Sequence, residues 1–456
     1  MPNLNKWSIL YLFGWTFAVV ASSLWYSDPD VFWHLKVGEW IVKNNAVIRT
    51  DVFSWSVYGE PWTAHQWLWD VLLYSVHKNF GFYGMWALTF IMGFTCGALI
   101  RGGLKLRGVS EAAATAAGGL GILLLIGWLK PWPQVGMYVM FSLYLFLSLR
   151  NRWGPREIFY AAGIGMLWAN IHSTAVMFPL LLLAEVGYKL IFKRDSLEDI
   201  KWRLGAVVSA AAATLVNPHF FGLWTYAVEQ GLLTGLYRQH ITSWMPYIFR
   251  FNLLSLIFFI SALILFAAVR QGKEKEMEFI RAAGFWALAL MSRIYSPFAI
   301  LSTAVLFGLL KFKLEAASIK RLAILSLLAG LVALPVRGIP TDMEEVARKN
   351  NYPVDVIEFI ESEGLEKIYN DHGWGGYLIW KDIPVYIDGR NDVYQDILVE
   401  ISLIHTLEQP VGRSIKETGA QTVLTRVSGL FDVALRESAW WEEVYRDETA
   451  VVYVRQ

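Results

Sequence analysis

Long apolar runs, broken by short polar and basic stretches, dominate the first three quarters of the chain. Runs of roughly 17 to 25 apolar residues mark membrane helices, because about 30 Å of hydrocarbon must be crossed with every backbone group bonded internally. The pattern predicts about eleven such spans, centred on 8–25, 83–100, 111–128, 134–149, 157–171, 174–192, 204–216, 251–269, 279–292, 296–310 and 322–337. Polar sequence, with no small-residue cleavage site, follows the first run, which therefore reads as an anchor and not a signal peptide. From about 340 onward the pattern becomes that of an ordinary globular α/β domain. Helical periodicity covers Val354–Glu363, Ile397–Leu407 and Leu430–Glu437, and short strands cover Lys367–Tyr369, Val385–Ile387 and Thr422–Leu424. A hairpin pairs Glu443–Tyr445 with Val451–Val454.

The expected architecture is a polytopic α-helical membrane protein with a C-terminal extracytoplasmic α/β domain. Residues 1–339 form the transmembrane module, with a long first exterior loop at 26–81, and residues 340–456 form the exterior domain. Basic residues set the orientation, because cytoplasmic loops retain Lys and Arg. Arg101, Lys105 and Arg107 open a series of basic loops that ends at Lys320 and Arg321, while the alternate loops are Trp-rich and poorly basic. The N-terminus is thus placed in the cytoplasm and the C-terminal domain outside; the prokaryotic cytoplasmic (inner) membrane is what the resemblance given below implies. All eight histidines then fall on the outer side.

Composition agrees. Of 456 residues 55% are hydrophobic and 17% charged, and 40 basic residues against 39 acidic leave a net charge of +1, which excludes a nucleic-acid binder. A single cysteine, Cys96, excludes a disulfide scaffold. Of the 22 tryptophans six lie in the first exterior loop, at 33, 40, 55, 62, 67 and 69, more than an interfacial belt requires. They read as walls for a ligand.

The densest polar signal follows the first span directly: Ser27-Asp28-Pro29-Asp30-Val31-Phe32-Trp33-His34-Leu35-Lys36. Asp30 is placed to N-cap a helix beginning near Val31, with His34 one turn on. Two carboxylates together with an imidazole beside a membrane ask for more than a cap. The same loop carries Asp51, Trp62 and His65. Other polar groups stand at the outer ends of later spans: Asn170 and His172, Asn217 and His219, Arg238 and His240, and Arg293. Arg293 lies between two apolar stretches and needs an anion, either Asp28 or Asp30 or a lipid phosphate. In the globular domain Asp371-His372-Gly373-Trp374-Gly375-Gly376-Tyr377 is followed by Ile387-Asp388-Gly389-Arg390. Strand, tight glycine turn and strand would aim Asp388 and Arg390 at the membrane, or serve packing alone. No nucleotide fingerprint, Walker motif, H-E-x-x-H or G-x-S-x-G is present.

These residues resemble the GT-C superfamily of integral-membrane glycosyltransferases. Asp28-Pro29-Asp30-Val31-Phe32-Trp33-His34-Leu35-Lys36, with Asp51-Val52-Phe53-Ser54-Trp55, Ala169-Asn170-Ile171-His172 and Trp374-Gly375-Gly376-Tyr377, is similar to an uncharacterised prokaryotic subgroup. The first loop is more loosely similar to that of the oligosaccharyltransferase catalytic subunit, although Asp371-His372-Gly373-Trp374-Gly375 departs from that enzyme's Trp-Trp-Asp-Tyr-Gly motif. The resemblance implies an inverting transfer of sugar from a polyprenyl-phosphate-linked donor to an acceptor glycan, lipid or protein. Asp30 would be the base and Asp28 the second carboxylate or, with Asp30, the ligand of a divalent cation such as Mg2+ or Mn2+. His34, Arg293, Arg238 and His240 would hold the donor phosphate, and His172, Asn170, His65, Asp388 and Arg390 would bind substrate. An oligosaccharide ligase is the alternative within the class, and a lipid-glycan flippase the alternative outside it.

Overall fold

The computed structural model describes residues 5–26, 28–150, 152–192, 196–232, 253–271, 276–310, 316–334, 338–395, 397, 401, 404 and 410–456. The chain divides into two compact units, Met1–Leu24 with Met85–Ile339, and Trp25–Gly84 with Pro340–Gln456. Residues 26–81, expected from sequence to be a loop of the membrane module, fall in the unit that contains the C-terminal segment.

The first unit is helical. Each segment expected to span contains an α-helix, from Lys6–Ala21 through Pro155–Ile171 and Leu197–Ala213 to Ala316–Val332. Glycines set its packing. A Cβ on Gly14 would collide with Ser326, and one on Gly165 with the carbonyl of Ala210, so these helices approach at backbone distance. Among the described residues only Trp67–Leu106 and Ser173–Ile191 are long and apolar enough to cross a membrane, and the count of about eleven full-length spans is not reproduced. Two of the apolar helices end in turns within the described residues. Lys6–Ala21 has 16 residues, a rise of about 24 Å, before Ser22–Trp25 turns. Glu111–Leu124 gives way to a turn containing Gly127 at φ +82°.

Buried charge in this unit is paired. Glu185 accepts from the Tyr144 hydroxyl at 2.8 Å and faces Arg281 at 3.3 Å and Arg203 at 3.5 Å. Glu111 takes Arg101 at 2.6 Å and the Ser8 hydroxyl at 2.6 Å.

The second unit is built on a four-stranded sheet of order β1-β2-β4-β3, with β1 Ile368–Asn370, β2 Thr422–Arg426, β3 Trp441–Arg446 and β4 Ala450–Arg455. β1 runs parallel to β2, and the expected β3–β4 hairpin is present. Val385 forms only isolated bridges, to Ile368 and to Ser54 of the first loop. The loop thereby extends the sheet: Trp55 N–H donates to the Val385 carbonyl at 2.9 Å, and the Trp55 indole donates to the Ile368 carbonyl at 3.0 Å. Asn370, fully buried, accepts from Tyr386 N–H and donates to the Ile387 carbonyl, each at 2.8 Å, and so supplies the pairing that Pro384 and its neighbours leave incomplete. The helix expected at Ile397–Leu407 lies largely outside the described residues.

Two glycines contrast a packing requirement with its absence. A Cβ on Gly375 would overlap the Ile387 carbonyl, whereas Gly163 has nothing within 4 Å of that position. Gly375→Ala is expected to destabilise the protein by at least about 1–3 kcal/mol, seen as a lowered thermal midpoint in detergent. Gly163→Ala should hold or raise the midpoint, and equal behaviour of the two variants would contradict this packing.

Candidate functional site

The acidic motif begins the Pro29–Asn44 helix. Its N-cap is Asp28 and not Asp30: Asp28 Oδ1 accepts from Asp30 N–H at 3.2 Å. The reason is Pro29, whose fixed φ and missing N–H suit the first helical position and move the start two residues upstream of the expected one. Asp30 sits in the first turn, where its charge complements the helix dipole. Its Oδ1 accepts from the Trp33 indole N–H at 3.1 Å. Both carboxylates are partly exposed. Tyr26, just before them, has its hydroxyl pushed up to about 12, first by desolvation and then by the charges of Asp28 and Asp30.

The glycine motifs of the C-terminal segment receive this turn. A Cβ on Gly376 would overlap the Pro29 carbonyl, and one on Gly389 would overlap Asp30 Oδ1. Residues 372–380 are therefore not the expected glycine turn between strands. His372–Trp374 is a 3₁₀ turn leading into the helix Gly375–Trp380, and its glycines are packing glycines. Beyond Gly389 a polar strip continues. Asn391 donates to the Gly389 carbonyl at 2.9 Å and meets His372 Nε2 at 3.0 Å, while Asp371 pairs with Arg426 at 3.0 Å.

Asp388 and Arg390 are fully buried, which agrees with the packing alternative and not with a pair aimed at the membrane. Arg390 places Nε and Nη2 on the two oxygens of Asp388 at 2.9 and 2.6 Å, and Nη1 on Asp51 at 2.6 Å. All three side chains are 0% exposed. Tyr394 donates its hydroxyl to Asp388, and Ser54 donates N–H and hydroxyl to Asp51. The Trp62 and Phe53 rings lie 4.8 and 5.1 Å from the guanidinium carbon. Burial alone would push the Asp388 carboxyl up, but the Arg390 charge and the hydrogen bonds from Arg390 and Tyr394 hold it below the usual carboxylate range. Burial likewise opposes the Arg390 charge, and the anions around it raise its pKa far above the ordinary value.

His34 is also interior. At 2% exposure its Nδ1 lies 2.6 Å from Asp70 Oδ1, itself 1% exposed, so it does not present an open phosphate ligand. Asp70 was not singled out by sequence. Of the six loop tryptophans, Trp33, Trp62 and Trp69 are buried in the core, and Trp40, Trp55 and Trp67 are partly exposed. His65 is partly buried, its Nδ1 3.3 Å from the Thr63 carbonyl.

Asn170, His172 and Arg293 belong to the other unit. Asn170 donates to the Met166 and Val216 carbonyls, and His172 caps the 3₁₀ turn Ser173–Val176 through Nδ1. Arg293 opens the 3₁₀ turn Arg293–Tyr295 between the helices Glu276–Met291 and Ser296–Gly308. Arg238 and His240 lie outside the described residues. Among the described residues no three His, Cys, Asp or Glu side chains gather as a metal-binding group. Asp28 and Asp30 offer two hard oxygen donors, a set that fits Mg2+ or Mn2+ completed by water and substrate phosphate, and falls short of the three protein ligands of a catalytic zinc.

No family model matches the chain, and no curated protein matches it. Solved structures do. The fold is similar to that of the Archaeoglobus fulgidus oligosaccharyltransferase tethered to an acceptor peptide containing an NVT sequon, at 12% identity and TM-score 0.56, over 99% of this chain and 74% of that one. It is equally similar to archaeal oligosaccharyltransferase AglB from the same organism in complex with an inhibitory peptide and a dolichol-phosphate, at 12% identity and TM-score 0.55, over 99% and 74%. A complex of the Archaeoglobus fulgidus enzyme with Zn and sulfate gives 13% identity and TM-score 0.52, over 96% and 72%. At these identities the likeness is one of fold.

The clasp around Arg390 has a measurable weight. Arg390→Met, which leaves two buried carboxylates without their cation, is expected to cost about 3–5 kcal/mol as a drop in thermal midpoint. An unchanged midpoint would contradict the clasp. Because the Asp388 pKa is depressed in the folded protein, its contribution is complete above about pH 3.9 and is lost only as pH falls through the folded value. A wild-type midpoint that declines between pH 7 and pH 5 would not come from this group.

Proposed function

We propose that the protein is an inverting glycosyltransferase that moves a sugar from a polyprenyl-phosphate-linked donor to an acceptor at the outer face of a prokaryotic membrane. One observation carries the reading: two partly exposed carboxylates, Asp28 and Asp30, are fixed on one helical turn against the glycines of the C-terminal segment, in a chain with an oligosaccharyltransferase fold. Asp30 is the base. It takes the proton of the acceptor as the acceptor atom attacks the anomeric carbon, and the bond from that carbon to the phosphate oxygen breaks with its electron pair leaving on the phosphate. One displacement inverts the centre.

The Trp33 indole holds Asp30 Oδ1, so the carboxylate enters the reaction with its orientation set. Asp28 has an oxygen committed to the Asp30 N–H and steadies the turn as well as adding negative charge near the oxocarbenium-like centre. Asp28 and Asp30 are also the residues that would hold a divalent cation, which when bound offsets charge on the departing phosphate. The structural neighbours captured with an acceptor peptide and with a dolichol-phosphate favour a second reading, transfer of a lipid-linked oligosaccharide in place of a single sugar.

The test uses the full chain in liposomes with Mg2+ and a panel of radiolabelled polyprenyl-phosphate and polyprenyl-pyrophosphate donors carrying glucose, mannose, N-acetylglucosamine or a short oligosaccharide. Cleavage of a donor is expected, and Asp30→Asn should slow it by about 10²–10⁴-fold in a protein with wild-type thermal midpoint. Wild-type turnover by that variant overturns the assignment. Movement of donor between leaflets with no bond cleavage would identify a flippase.

A further inference from the structure

A buried relay lies behind the carboxylate turn. Asp70 is 1% exposed and His34 2%, and Nδ1 to Oδ1 is 2.6 Å, the short separation of a charge-assisted hydrogen bond. The pair exists because of Gly38. A Cβ there would overlap the Asp70 carbonyl, so only glycine lets the helices Pro29–Asn44 and Trp67–Leu106 approach closely enough, one turn beyond His34, to bring the two side chains together. The imidazole packs on the neighbouring indole of Trp33, ring centroids 3.6 Å apart at 35°. Trp33 is 5% exposed, and its N–H donates to Asp30. The indole therefore has one side set by His34 and its single donor set on the carboxylate.

We propose that Asp70 and His34 are positioning residues for Asp30, acting through Trp33. Asp70 fixes the plane of the imidazole, the imidazole fixes the indole, and the indole N–H fixes Asp30 Oδ1. None of the three needs to touch substrate. A partner that orients a reacting group from behind costs about 10–100-fold when removed, because small displacements at a reacting atom carry large rate penalties. The kinetic part of this inference rests on the assignment of Asp30 as base; the geometric part does not.

Two measurements on the full-length protein separate these parts. In the first, the protein is labelled with 5-fluorotryptophan in detergent micelles, and the Trp33 resonance is assigned by its loss in Trp33→Phe. That resonance is expected to shift in Asp30→Asn, in Asp70→Asn and in His34→Asn, which keeps a hydrogen-bonding group near Asp70 but removes the ring. The resonance of exposed Trp440 should stay in place. A Trp33 resonance unmoved in both Asp70→Asn and His34→Asn overturns the relay, whatever the reaction proves to be, and having two variants guards against one that does not fold.

In the second, turnover of whichever panel donor the wild type cleaves is measured. Asp70→Asn and Trp33→Phe should each lower kcat by roughly 10–100-fold with KM unchanged. The double variant should lose no more than the larger single loss, because both act on one carboxylate. Losses that multiply, or a rise in KM alone, overturn the relay. A relay seen by fluorine with no loss of turnover in Asp30→Asn would instead overturn the assignment of the base.

Discussion

The second unit depends on one interaction, the clasp of Arg390 between Asp388 and Asp51. A guanidinium and two carboxylates without solvent contact are costly to bury, and are tolerated only when geometry is good and the remaining acceptor positions are filled. Here the forked donors of arginine meet both oxygens of Asp388 and one of Asp51, with Tyr394 and Ser54 supplying the rest. Lysine has no such fork. The clasp ties residue 51 of the first loop to residue 390 of the C-terminal segment, 339 positions away. With the Trp55–Val385 pairing beside it, it makes those two segments one folded body.

That body holds the acidic turn. Pro29 starts the helix, Asp28 caps it, and Gly376 and Gly389 admit its backbone and the Asp30 side chain to contact distances no other residue allows. The rule that keeps glycine at places of close backbone approach thus accounts for two motifs whose spacing fits no nucleotide fingerprint. Trp33 and His34 face inward from the same helix, and the carboxylates face a partly open surface. Buried aromatic and ionic groups back the turn that carries the two carboxylates.

Periodicity made the helices legible: every predicted span contains one, and the β3–β4 hairpin and the helix at Leu430–Arg436 fall where alternation and helical spacing put them. Length was less legible, since an apolar run does not reveal that its helix ends in a turn at Ser22–Trp25 or before Gly127. Asp28 and Asp30 stood out as a pair, but their division of labour was hidden by a proline effect two residues long. His34 was visible and its partner was not, because Asp70 becomes its neighbour only through a helix crossing at Gly38. Asp388 and Arg390 looked like ligand groups for the same reason: the residue that buries their charge, Asp51, is distant in sequence. Tryptophan counts suffered equally, since composition cannot separate a wall from a core.

The most direct test of the central claim, that the Asp28–Asp30 turn is the reacting surface, is a cryo-electron microscopy map of the full chain in nanodiscs with Mg2+ and a polyprenyl phosphate. The account predicts headgroup density bridged to the carboxylates of Asp28 and Asp30, with Arg390 still enclosed by Asp51 and Asp388. Headgroup density seated elsewhere, with both carboxylates turned away from it, would contradict it.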